Sequence, residues 1–515
     1  MATPASISAP GDMAQPVTRS RSIGHAVRTV MPTIGTIGLL VALAAHRYLP
    51  LVNADALLPA LISTQHLTFY YWGQDRLASL VPALAWPVRD SIWNFRVQML
   101  IAGFAFFSLM AMFVWFHLHA TGQRVTASLL ALGSLVSGLL VMAPMRAIAG
   151  YRFIFEQGYA LSLVLFLAGG RWLMRQYSRQ ALALHVAGAL MVLASLLVNP
   201  SVALLSPVFW ILDDDREGRL RRLAAGAGIV AAGFIVGSVA ARAFYDGPSL
   251  RSEYNDFSVA RARHGLHAAV SGVLGSIQLS VAMVIGIACI VVLAWRWRSF
   301  PLRLRIAYLG APLFGLAWLV VFSGNRWVER NLYEFRYFFT LYAAGMLILA
   351  ASVTEAILLA RQRLTAPRWL RAPRPIAFGV LCAVTVVLVV AIPLYATAHT
   401  DIPTLDATEP PVGAARHFDA EFVVGDYWNT WPIVVAGRGA GLDLLGVTYR
   451  SDAIDDQIHD AVDDSVARTG GVRVLCTSGD AVACTNDFAA FTGGSWVAGP
   501  AASANPLVID LRPAP

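Results

Sequence analysis

Lysine is missing altogether: all 39 basic side chains of this 515-residue chain are arginines. Charge of either sign is scarce, at 14% of residues, where a soluble domain carries about 25%. With 57% hydrophobic residues and a mean hydropathy of +0.60, that scarcity excludes an ordinary soluble domain and points into a membrane. The exclusive use of arginine reads as the codon usage of a GC-rich bacterial genome. The net charge of +8 does not indicate nucleic acid, because most of the arginines fall in short loops beside apolar runs, where positive charge orients a membrane protein. A cleavable signal peptide is also lacking, since the first apolar run starts late and is long enough to span. Residues 1–26, rich in Ala, Pro, Ser and Thr at their start, read as a disordered cytoplasmic tail.

Apolar runs of spanning length lie near 29–49, 97–117, 126–145, 155–172, 223–243, 276–295, 306–323, 338–360 and 376–397. The stretch 181–212 stays apolar but is broken at Asn199-Pro200 and Pro207, so two short helices, 181–198 and 201–212, are expected there. Arginine decides the parity. With that pair, residues 19–28, Arg124 and the segments 171–179, 214–222, 296–305 and 361–374 all face the cytoplasm and hold 20 of the 39 arginines. The expectation is therefore an all-α polytopic protein of the inner membrane, with about eleven transmembrane helices across 27–398. Its N-terminus is cytoplasmic, and residues 399–515 form a small periplasmic α/β domain. Only four cysteines occur. Cys289 and Cys382 fall in apolar runs and read as inert core. Cys476 and Cys484, in VLCTSGDAVACTNDF, are spaced to close a disulfide in an oxidising compartment. A CxxC metal pair would be closer and would need more partners.

The outward loops are longer than the inward ones. The first, 50–96, has helical periodicity at 56–63 and 76–86 and aromatics at Phe69, Tyr70, Tyr71 and Trp72, which suggests two short helices lying in the membrane interface. Outward loops also carry arginines the sidedness rule does not require, above all Arg326, Arg330 and Arg336. Their planar forks suit phosphate, although pairing with Glu329 and Glu334 explains any single one. Asp55 follows the first span almost at once, where a carboxylate is costly unless solvated or used. It would serve either chemistry or as the cap of a helix starting at Ala56. Asp75, beside Arg76, reads as a structural ion pair or a second site carboxylate.

This arrangement resembles the GT-C superfamily of integral-membrane glycosyltransferases. The shared features are the first span, the long first outer loop with two short helices, many further spans and a C-terminal extracytoplasmic domain. NLYEFRYFFTLYAA looks like that superfamily's ERYLLP-type stretch in a late outer loop, carrying Arg336 and Tyr337 but Thr340 in place of the usual proline. YWNTWP, with Tyr427 and Trp428, looks like the Tyr-Trp stretch after the last span. The usual Asp-Glu or Glu-x-Asp form of the first-loop motif is replaced by Asn53-Ala54-Asp55. The resemblance implies a polyprenyl-phosphate-linked sugar as donor, a glycan or lipid acceptor, a surround of membrane lipids and no nucleic acid. It also implies Asp55 as the catalytic acid-base residue. Arg76, Arg326, Arg330, Arg336, Tyr337, Tyr427 and Trp428 are the candidate substrate-binding residues. The resemblance fixes no cofactor and leaves a divalent metal open.

In the C-terminal region FVVGDYW, LDLLGVTY, VRVLCTSG and PLVIDLRP read as strands, with helices near 451–468 and 485–491; glycines in AGRGAG are a weak phosphate-loop signal. The rival functions are a multi-pass lipid or polysaccharide transporter or flippase, an O-antigen ligase or polymerase, and a scaffold. A transporter should show internal repeats and midspan ionisable groups, and His185 is the clearest midspan candidate.

Overall fold

The computed structural model describes residues 19–74, 77–155, 158–174, 182–208, 219–245, 256–363 and 403–515. It shows a helical polytopic membrane protein with a small C-terminal α/β domain. Among the described residues five helices are long and apolar enough to cross a bilayer: Val30–Leu51, Ser91–Ala120, Leu223–Phe244, Leu302–Ser323 and Arg336–Gln362. A pair bent by 42°, Ala149–Phe155 and Tyr159–Leu173, makes a sixth. Ala127–Met142, Leu182–Val198 and Val281–Trp295 are apolar but shorter, about 23–26 Å at 1.5 Å per residue, against a hydrocarbon core of about 30 Å. Of the stretch expected as a second short helix, 201–212, the described part is a 3-10 turn series, Pro200–Val208, with Pro207 withholding a backbone donor. The expected span 376–397 lies outside the described residues.

Ser91–Ala120 is the hub of the bundle and is buried around most of its circumference. Tyr159–Leu173 and Leu182–Val198 meet backbone to backbone at Gly169 and Gly188. A Cβ on either would stand 2.6 or 2.7 Å from the other's carbonyl oxygen, so only glycine permits this approach. The outer helices leave Ile235, Val239, Val284, Ile287, Leu309 and Leu313 exposed, an apolar surface that only lipid covers well.

A mixed sheet of order β2-β1-β3-β5-β4 forms the C-terminal unit. Strand β1 (Phe422–Val424) runs parallel to β2 (Leu445–Val447) and β3 (Val472–Cys476). The antiparallel hairpin of β4 (Trp496–Ala504) and β5 (Leu507–Pro513) joins through β5. Cys476 and Cys484 are bonded, their Cα atoms 5.8 Å apart. The segment after Gly425 is not strand: Tyr427–Gly439 is a helix, begun by Asp426, whose carboxylate accepts from the Trp428 and Asn429 amides. The AGRG glycines close that helix instead of cradling phosphate.

The α/β unit sits on the first loop. Its helix Tyr427–Gly439 packs on Ala54–Thr64, Trp72 meets Trp431 at 5.8 Å, and the Ser91 hydroxyl donates to the Val435 carbonyl at 2.8 Å. Ala54–Thr64 is consequently buried all round, and so are Tyr70, Tyr71 and Trp72; of the four aromatics only Phe69 is exposed. The first short helix and Trp72 thus form a floor for the C-terminal unit. Leu80–Ala85, the second short helix, keeps Leu84 exposed.

Candidate active site

Asp55 is the second residue of Ala54–Thr64, and it is not the cap. Asn53 caps the helix, accepting from the Ala56 amide at 3.2 Å, which leaves the Asp55 carboxylate for other partners. They come from the far end of the sequence. Arg336 donates through Nη1 to Oδ2 at 3.1 Å, the Tyr427 hydroxyl donates to Oδ1 at 2.5 Å, and Arg450 Nη1 lies 3.8 Å from Oδ1. Arg336 also pairs through Nε with Glu334 at 2.7 Å, and Glu334 pairs with Arg152. Arg450 runs between the rings of Tyr427 and Tyr449, at 5.2 and 5.3 Å, and its buried Nε has no hydrogen-bond partner among the described residues. Room for its stem comes from Gly73, at φ +68, where a Cβ would stand 2.7 Å from Arg450 Cγ.

Burial pushes the Asp55 carboxyl up, but the Arg336 and Arg450 guanidiniums and the Tyr427 and Arg336 hydrogen bonds outweigh it and hold the group below the usual carboxylate range. Burial, together with the Asp55 charge, lifts the Tyr427 phenol well above its ordinary value, so it stays a donor.

These groups line a cavity of about 360 Å³ shared by the helical bundle and the C-terminal unit. Four arginines face it, Arg152, Arg330, Arg336 and Arg450, against two carboxylates, Asp55 and Glu334. Its aromatic wall is Trp327, Tyr337, Tyr427, Trp428 and Tyr449, with Trp428 and Tyr449 more than half exposed. A smaller void of about 50 Å³ adjoins Arg336 and is lined by Gln74, Asn199 and Ser201.

The structure therefore brings Asp55, Arg330, Arg336, Tyr337, Tyr427 and Trp428 together on one cavity. Arg326 is not among them; it is exposed and faces Asp256 at 3.8 Å. Asp75 and Arg76 lie outside the described residues. Sequence reasoning missed Arg450 and Tyr449, which follow the carboxyl end of β2, a usual place for site residues in open α/β sheets. Among the described residues no group of three His, Cys, Asp or Glu side chains is arranged to hold a metal ion.

No family model matches the chain, and no curated protein matches it. Among solved structures it is similar to ArnT from Cupriavidus metallidurans bound to undecaprenyl phosphate. The two share 15% identity over 92% of this chain and 97% of that one, with a TM-score of 0.47.

Proposed function

We propose that the chain is a membrane glycosyltransferase of the GT-C kind. It moves a sugar from a polyprenyl-phosphate donor to a cell-envelope glycan or lipid acceptor on the periplasmic face of the inner membrane. The observation that carries this reading is the cavity: a buried carboxylate at its wall, two more arginines than acids, and exposed aromatic rings at its rim. The surplus positive charge suits one phosphate, and aromatic rings suit the C–H faces of sugars. Sidedness follows from the arginine distribution.

The chemistry follows from the same groups. The acceptor hydroxyl attacks the anomeric carbon as the bond to the phosphate oxygen breaks, and the electron pair leaves with the phosphate. Arg336, Arg450, Arg330 and Arg152 stabilise that growing charge. The hydroxyl proton goes to Asp55. A carboxylate accepts it late, once attack has made the hydroxyl acidic. Tyr427, protonated throughout, keeps the carboxylate oriented.

The test is a gene deletion complemented with wild type or Asp55→Asn at equal membrane abundance, read by mass spectrometry of the envelope glycans. The expected result is a missing single-sugar increment restored by wild type alone. Restoration by Asp55→Asn would remove Asp55 from the chemistry.

One observation favours the transporter alternative. His117, in the last turn of Ser91–Ala120, and Glu355, on Arg336–Gln362, are buried between these helices, 2.7 Å apart. A lipid-flip assay on the purified chain without acceptor separates the two readings.

A further inference from the structure

The C-terminal sheet has a second concavity that the transfer chemistry does not use. It is a crevice of about 480 Å³ outside the carboxyl ends of β1, β2 and β3. From β1 the chain goes outward to β2, and from β3 it goes outward to the β5–β4 hairpin, so the connections part between β1 and β3. Crevices at such a parting are where open α/β sheets take ligands. At its edge Gly425, at φ +136, packs so closely on Thr477 that a Cβ would collide with the hydroxyl.

The lining selects the ligand class. Among the described residues no arginine or histidine faces the crevice, while Asp426 and Asp487 do, so an anionic ligand is disfavoured. Asp426 is occupied: Oδ1 accepts from two amides, and Oδ2 accepts from Asn429 Nδ2 at 2.8 Å and Thr477 Oγ1 at 3.3 Å. That leaves the exposed Asp487 carboxylate and the Thr448 side chain as polar groups, between the rings of Tyr449 and Phe491, while the Ser478 hydroxyl is engaged with the Asp480 backbone. Hydroxyl-binding groups between aromatic faces fit a neutral sugar better than a lipid tail or a phosphate.

Position supplies the second argument. The turns after β1 and β2 each serve both concavities. Gly425-Asp426 and Thr448-Tyr449 line the crevice, and the next residues, Tyr427 and Arg450, reach Asp55. Tyr449 lines both. We propose that this crevice binds neutral sugar rings of the acceptor glycan and presents its hydroxyl across Tyr449 to the Asp55 cavity. The word acceptor rests on the transferase reading; glycan binding by the crevice does not.

The test uses the full chain in nanodiscs and two probes. One is a set of end-labelled neutral oligosaccharides released from the producing cell's envelope, and the other is a labelled polyprenyl-phosphate sugar. Ala490→Trp fills the crevice from its exposed wall, and Asp487→Ala removes one polar group; a thermal melt confirms that each variant is folded. Oligosaccharide binding should weaken at least about tenfold in Ala490→Trp and about threefold in Asp487→Ala, with lipid-probe binding unchanged in both. Wild type that binds no oligosaccharide, or folded Ala490→Trp that binds it within twofold of wild type, overturns the proposal. The glycan increment in the deletion strain judges the transferase reading separately.

Discussion

Asp55 and Glu355 are both buried carboxylates, at 8% and 1% exposure, and each is held by an arginine and a second hydrogen-bonding ring residue. Their surroundings differ. Glu355 takes His117 Nε2 on one oxygen at 2.7 Å and Arg296 Nε on the other at 3.1 Å. His117 Nδ1 in turn meets the Tyr308 hydroxyl at 2.5 Å. A carboxylate only accepts, so His117 Nε2 donates to it. One acid faces one guanidinium, and the cluster is balanced and closed among helices. Around Asp55 the cations outnumber the acids, and the cluster borders open space. Burial and ion pairing are common to both and mark neither as a site. The surplus charge and the cavity make that distinction.

The largest effect that would break this contrast is on transfer rate. Asp55→Asn keeps the shape and is expected to lower kcat about a thousandfold, within the range for loss of a general base. Glu355→Gln is expected to leave kcat per folded molecule within about twofold. Equal losses would mean that both clusters serve one function. Next in size is stability. Glu355→Ala strands Arg296 and His117 in the bundle and should cost about 3–5 kcal/mol, seen as a much lower Tm of the purified protein. A Glu355→Ala protein melting like wild type would show that the cluster is not structural. Arg336→Lys comes third. It keeps the charge but loses the fork that holds Asp55 and Glu334 together, so donor KM should rise about tenfold while folding is retained. A change confined to kcat would place Arg336 on the proton side and not on the phosphate.

Much of this contrast was legible in the chain before any coordinates. Asp55, Arg336 and Tyr427 stood out because each broke a local expectation: a carboxylate at a lipid boundary, an arginine outside the sidedness rule, a Tyr-Trp pair after the last apolar run. Their meeting across 281 and 372 residues was not legible, since no local pattern encodes it. Arg450 escaped because an arginine after a strand looks like any solvated end. The helix Tyr427–Gly439 escaped because Pro432 and its glycines argue against helix, and packing on Ala54–Thr64 overrides that preference. The same packing buries Trp72 against Trp431, in a domain far along the sequence. No local pattern links His117 with Glu355, and only the bundle pairs them.

The smallest expected effect sharpens the comparison most, because it reports on Asp55 alone. Tyr427→Phe removes the 2.5 Å hydrogen bond and leaves both guanidiniums in place. That bond is one of the influences lowering the Asp55 carboxyl, so its loss moves the group upward. In wild type the carboxylate stays ionised to below the ordinary value of about 4, and the acid limb of kcat/KM should lie below that value. The stability that Asp55 draws from its partners is present above the unfolded-state value. It is lost as pH falls through the lowered folded value, so neither stability nor rate should change through Asp55 between about pH 5 and 9. The variant's acid limb should shift to higher pH, with a loss of about threefold to tenfold in kcat/KM at neutral pH, the worth of about one hydrogen bond. Glu355 makes no contact with Tyr427, so the Tm of the variant should fall by no more than a few degrees. A limb that stays in place while the rate falls would mean that the tyrosine orients the acceptor and not the carboxylate. A limb that moves to lower pH would contradict the charge arrangement on which the Asp55 assignment rests.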